Sequence, residues 1–130
     1  MSTIHHALLI ACFACLLAAG AQAATKCEGQ EGSTSLSACY REEEFRSEDL
    51  ALNAIFKRLI KAMEKRNLLN ERKLLVGAQR LWVRYRDENC NLHDKVIGGS
   101  SGISFVTCRV EQTNLRRLEL ESLLGAYDER

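Results

Sequence analysis

The chain has 130 residues and a net charge of +1, with 18 Lys and Arg against 17 Asp and Glu. With no basic patch and no acidic tail, that balance argues against nucleic acid or an anionic membrane surface as partner. Proline is absent, so nothing forces the chain to give up a helical hydrogen bond.

The first element is an apolar run from Ala7 to Ala19 that ends in Ala21-Gln22-Ala23. It is too short to span a bilayer comfortably, and the small-x-small ending reads as a signal peptide over residues 1–23. His5 and His6 stand where Lys or Arg is usual. Leu9-Ile10-Ala11-Cys12 has the form of a lipoprotein cleavage box, but a cut there leaves an apolar core of about five residues, below the usual ~7–15. Cleavage after Ala23 leaves residues 24–130 as one small domain, periplasmic or secreted, with no later segment apolar enough to insert in a membrane.

Losing Cys12 and Cys15 with the leader leaves Cys27, Cys39, Cys90 and Cys108. An even number in a small exported chain reads as a disulfide framework. Four cysteines allow three pairings. Cys27–Cys39 and Cys90–Cys108 are favoured, because each pair is close in sequence and each clamps a loop onto a helix. In the chain-entropy picture, closing a loop like that between Cys90 and Cys108 contributes about 3 kcal/mol.

Three segments have helical periodicity and none has a convincing strand pattern. The first, about residues 35–66, carries Leu52, Ile55, Phe56, Leu59, Ile60 and Met63 at three- and four-residue steps. Ser47 before Glu48 and Asp49 has the form of an N-cap, predicting a short helix ahead of the long one. The second, about 70–89, carries Leu74, Leu75, Ala78, Leu81, Trp82 and Tyr85. Asn67 or Asn70 marks a connection short enough to make a helical hairpin. The third, about 104–127, has a less regular stripe of Phe105, Cys108, Leu115, Leu118, Leu120, Leu123, Leu124 and Tyr127. The expected fold is all-α: a small antiparallel bundle of about three helices, a hairpin plus a C-terminal helix, stapled by two disulfides.

Catalytic and metal chemistry find little support. His93 is the one histidine left after cleavage, in what reads as a surface loop, with no recognisable nucleophile and orienting carboxylate around it. Cys90-x-x-His93 has ligand-like spacing, but an oxidising compartment converts such cysteines to disulfides. No metal or cofactor is expected. The acids Glu42, Glu43 and Glu44 read as a solvated face. Gly98-Gly99-Ser100-Ser101-Gly102 lacks the ending of a phosphate loop. It is either a plain connector or a loop held rigid by a Cys90–Cys108 staple, whose pre-organisation reduces the ordering cost of binding.

The stretch Gln79-Arg80-x-Trp82-x-x-Tyr85-Arg86-Asp87-x-x-Cys90 resembles the lysozyme-inhibitor LprI-like domain, long catalogued as a domain of unknown function. Leu52-Asn53 on the first helix after Cys39, Gly99-Ser100 in the loop, and Thr113, Arg116 and Leu120 after Cys108 agree in order. The resemblance covers about residues 27–120. Phe56 stands where tyrosine is commoner, and Ser101-Gly102 extend the loop. The resemblance implies a small exported helical protein of the bacterial envelope that is not an enzyme, with lysozyme or another cell-wall hydrolase as its protein partner. Lys95, Gly99, Ser100, Ser101 and His93 are the expected binding residues. Trp82 is expected in the core, with Arg86 and Asp87 in structural hydrogen bonds near the helix end. Against an inhibitor steered by charge, the chain is near neutral where animal lysozymes are strongly basic. The alternative is a non-catalytic envelope interaction module, toxin-protective or an assembly partner.

Overall fold

A computed structural model describes residues 27, 29, 32–98 and 102–128. The expected leader, and Gly99, Ser100 and Ser101, lie outside these described residues. The chain divides into two compact units, residues 1–30 and 31–130, and the second contains three helices: α1 (Ser33–Lys65), α2 (Leu69–Ile97) and α3 (Ile103–Asp128). Among the described residues there is no strand.

Helix α1 is continuous, so the break predicted at Ser47 does not occur. Neither glycine nor proline interrupts it. Arg41 pairs with Glu44 at 2.8 Å, and Arg46 with Glu43 at 3.5 Å and with Glu42 at 3.9 Å. Such one-turn pairs support the helix where a break was expected. The turn after α1 is made by Asn67, whose φ of 56° is a left-handed conformation that asparagine tolerates. Its N–H donates to Glu64 O at 3.0 Å, and that of Leu68 donates to Met63 O at 3.0 Å.

Helix α2 runs past Asn89 and ends only at Gly98. There the φ of 33° suits a residue without a side chain, and the amide N–H donates to Asp94 O at 2.9 Å. A Cβ at Gly98 would sit 3.3 Å from that same oxygen.

The three helices pack with α1 and α2 antiparallel, and α2 and α3 antiparallel. Asp49 meets Arg86 while Glu64 meets Arg72. Gln79 meets Arg116 while Asp94 meets Ser104. Consequently α1 and α3 run parallel: Glu48 lies by Arg117, and Arg66 by the carbonyl of Tyr127. The hairpin exists, but its two helices touch least. The α1–α3 interface is the most extensive of the three, because α3 carries the apolar residues that meet the stripe of α1.

Leu52, Leu59, Met63, Leu75, Leu120 and Leu124 form the buried apolar cluster, with Ile55, Phe56, Ile60 and Trp82 packed against it. Two of the predicted stripes are corrected. On α2 the buried residues are Leu75, Gln79, Arg86 and Cys90, whereas Leu74, Leu81 and Tyr85 are 73%, 67% and 60% exposed. On α3 the inner residues are Cys108, Val110, Thr113, Leu120 and Leu124, and Leu115, Leu118 and Leu123 face outward. In both helices a polar residue took an inner position because it found buried hydrogen-bond partners there.

Leu59 and Leu120 are fully buried. Leu59→Ala should destabilise the oxidised protein by about 3 kcal/mol through lost burial and a residual cavity. Leu74→Ala, on the exposed face, should cost within about 0.5 kcal/mol. Denaturant titration followed by far-UV circular dichroism compares the two.

Candidate functional site

One inner group organises the middle of the bundle. The Arg86 side chain is 5% exposed. Its Nε donates to Asp87 Oδ1 at 2.9 Å, and its Nη1 donates to Asp49 Oδ1 at 3.2 Å and to Thr113 Oγ1 at 3.1 Å. The guanidinium lies 5.1 Å from the ring centroids of both Phe45 and Trp82. One side chain on α2 therefore engages α1 through Asp49 and Phe45, and α3 through Thr113. Burying a charge is tolerable only when it is paired and hydrogen-bonded in this way.

A second arginine, Arg109 of α3, extends the cluster. It stacks 3.7 Å from the Phe45 centroid and approaches Asp87 Oδ1 at 3.5 Å. One turn toward the apolar cluster, Arg116 Nε donates to Gln79 Oε1 at 3.0 Å and Nη1 pairs with Glu119 at 2.8 Å. Arg117 bridges Glu48 at 3.0 Å and Glu121 at 2.8 Å. Those hydrogen bonds, to Glu48 first and then Glu121, hold its pKa above the ordinary guanidinium value.

Seven of the residues that carry the resemblance meet in this network. Asn53 Nδ2 donates to Asp49 Oδ2 at 3.0 Å, steadying the carboxylate that receives Arg86. Gln79, Trp82, Arg86, Asp87, Thr113 and Arg116 are the others, and Leu52 lies in the apolar cluster. Arg80 and Tyr85 stand apart, both exposed. Arg86 is far from the end of α2, contrary to its expected place, since the helix continues to Ile97. Phe45 and Arg109 carry no mark in the sequence reading, and Asp49, read there as a first-turn acid after Ser47, is instead a partner of Arg86. Phe45, Asp49 and Leu52 share one helical face, and that spacing was the available signal.

Beyond the network, Cys90 and Cys108 form a disulfide with Cα atoms 5.5 Å apart, joining α2 to α3. The hydroxyl of Ser104 donates to Asp94 one turn further on. Cys27 and Cys39 are disulfide-bonded as well. The last turns of α2 carry His93 and Lys95, both exposed and both helical rather than in a loop. Residues two apart on a helix do not share a face, so the structure separates these two. His93 shares its side with Ile97, which is 65% exposed. The connection leaves through Gly98 and re-enters at Gly102, whose φ is 66°.

Among the described residues, no group of three or more His, Cys, Asp or Glu is placed to hold a metal ion. No described helix is long and apolar enough to cross a membrane.

Removing the central guanidinium leaves Asp49 and Asp87 without their buried partner. Because Asp49 and Asp87 are 39% and 41% exposed and stay partly solvated, Arg86→Ala should cost about 1–3 kcal/mol. Arg86→Lys should recover only part of that, because an ammonium cannot reproduce the guanidinium fork. Thermal and denaturant melts of both variants, with the disulfides intact, measure the difference.

No curated protein matches this chain, and no solved structure matches it. A family model does: that described as lysozyme inhibitor LprI matches residues 24–120. The match takes in α1, α2 and most of α3, with Arg86 and all of its partners. The chain belongs to the lysozyme inhibitor LprI family.

Proposed function

We propose that the protein is an exported inhibitor of lysozyme or a related muramidase that acts by binding, without catalysis. The family match over residues 24–120 is the observation that carries this reading. Export is supported by the leader-like residues 1–23 and by the cysteine usage of the chain.

The binding surface is assigned to the α2–α3 end: His93, Ile97 and the connection through Gly98, Gly99, Ser100, Ser101 and Gly102. A muramidase presents two carboxylates in a sugar-binding cleft. A connection that carries hydroxyl groups, beside an imidazole and an apolar side chain, has the chemistry to enter such a cleft. The Cys90–Cys108 disulfide and the Ser104–Asp94 hydrogen bond tie together the two helices that the connection joins, which reduces the ordering cost of binding. Lys95 sits on the other side of α2 and is left out of this surface.

Lysozyme turnover in the presence of purified oxidised protein tests the reading. Inhibition is expected at micromolar concentration, falling at least about tenfold in the Ser100→Trp, Ser101→Trp variant. No inhibition of several lysozyme types overturns it. Capture of a single non-hydrolase envelope protein would support the alternative, a non-catalytic interaction module.

The remaining disulfide is assigned to Cys27–Cys39. Peptide mass mapping of the oxidised chain should yield that cross-linked pair, and any other partner for Cys27 overturns the assignment.

A further inference from the structure

The outward face of α2 is unusually apolar for a helix of a small domain. Leu74, Leu81, Tyr85, Leu92 and Val96 are between 60% and 75% exposed, and Ala78 is exposed among them. At 100° per residue these positions fall on one narrow stripe. The sequence steps from Glu71 through Leu74, Ala78, Leu81, Tyr85, Glu88 and Leu92 to Lys95 alternate three and four residues. That is the spacing of a two-stranded coiled-coil seam. The apolar cluster accounts for none of these residues.

We infer that this stripe is a homodimer interface, in which α2 helices of two copies pair antiparallel about a dyad between Leu81 and Tyr85. The pairing pattern selects the occupant and its direction. In the antiparallel register, Leu81 of each copy meets Tyr85 of the other, and Leu74 meets Leu92. At each end Glu71 meets Lys95 of the second copy, an opposite-charge pair. Ala78 meets Glu88 of the second copy. Here Asn70, Lys73, Leu74, Gly77, Ala78 and Leu81 line a groove of about 660 Å³. The small Gly77 and Ala78 leave room for that glutamate, and Lys73 stands at the edge as its counter-charge.

A parallel pairing of the same stripe sets Glu71 against Glu71, Glu88 against Glu88 and Lys95 against Lys95. Like charges facing at three layers oppose it. In the antiparallel pair, Arg84 lies close to Arg84 of the second copy across the dyad, relieved by Glu88 one turn away on each helix. The stripe from Glu71 to Lys95 is about 36 Å long, and covering it on both copies removes on the order of 1,200 Å² from water, the lower end of a stable interface.

The interface gives Lys95 and the exposed Tyr85 defined roles, and leaves His93 and Ile97 uncovered. It does not depend on the target of the α2–α3 connection. Sedimentation equilibrium of the oxidised protein from low to high micromolar concentration is the test. The expected result is a mass rising to that of two chains. Leu81→Glu should give the mass of one chain with an unchanged circular dichroism spectrum and melting curve. Glu71→Lys should weaken the dimer about tenfold, and adding Lys95→Glu should restore it. A single-chain mass at every concentration overturns the inference, whatever else binds the stripe. A dimer indifferent to Leu81→Glu, or one that the double charge swap fails to rescue, overturns it equally.

Discussion

The Arg86 guanidinium is withdrawn from water among two aromatic rings, with carboxylates at two of its corners. A charge in that setting is stable only if its partners stand in register. Asp49 lies on α1, Thr113 on α3, and Asp87 beside it on α2. Together they fix how far each helix slides along the others and which way α2 is rotated. Rotation matters most. Turning Gln79 and Arg86 inward turns Leu74, Leu81 and Tyr85 outward, since a helix has only one face to bury against this bundle. The exposed stripe of α2 is thus the geometric counterpart of the buried arginine.

Along its length the bundle changes its means of cohesion. At the Asn67 turn the contact is apolar, through Leu59, Met63, Leu75, Leu120 and Leu124. At mid-height it is charged and aromatic. Toward the α2–α3 connection it is covalent, through Cys90 and Cys108. A small domain has limited apolar surface to bury, and here that surface is concentrated at one end. The disulfide holds α2 against α3 at the other end, where little hydrophobic packing is available. The Asp94–Ser104 contact joins the same two helices one turn further on.

The residues that mark the family in sequence are therefore mostly scaffold. Asn53, Gln79, Arg86, Asp87, Thr113 and Arg116 are occupied with one another. Their chemistry is spent on holding helices in place. Outside the network, α2 presents a long apolar stripe.

How much of this was legible without coordinates follows from what each pattern encodes. Helix number and approximate extent were readable, because periodicity and the absence of proline act locally. The apolar face of α1 was readable because Leu52, Leu59 and Met63 are both periodic and buried. The exit from α2 was misplaced, because Asn89 and Asn91 weaken a helix that a disulfide and a side-chain contact then sustain. The inner faces of α2 and α3 were misread for a deeper reason. Hydrophobicity ranks Leu81 above Arg86 for burial, and it cannot register that Asp49, thirty-seven positions away, supplies the counter-charge that reverses the order. The amino-acid sequence by itself determined the helices, the cysteine framework and the family. Only the tertiary structure decided which face of α2 is inside, because the energy of burying a charge depends on partners that folding alone brings together.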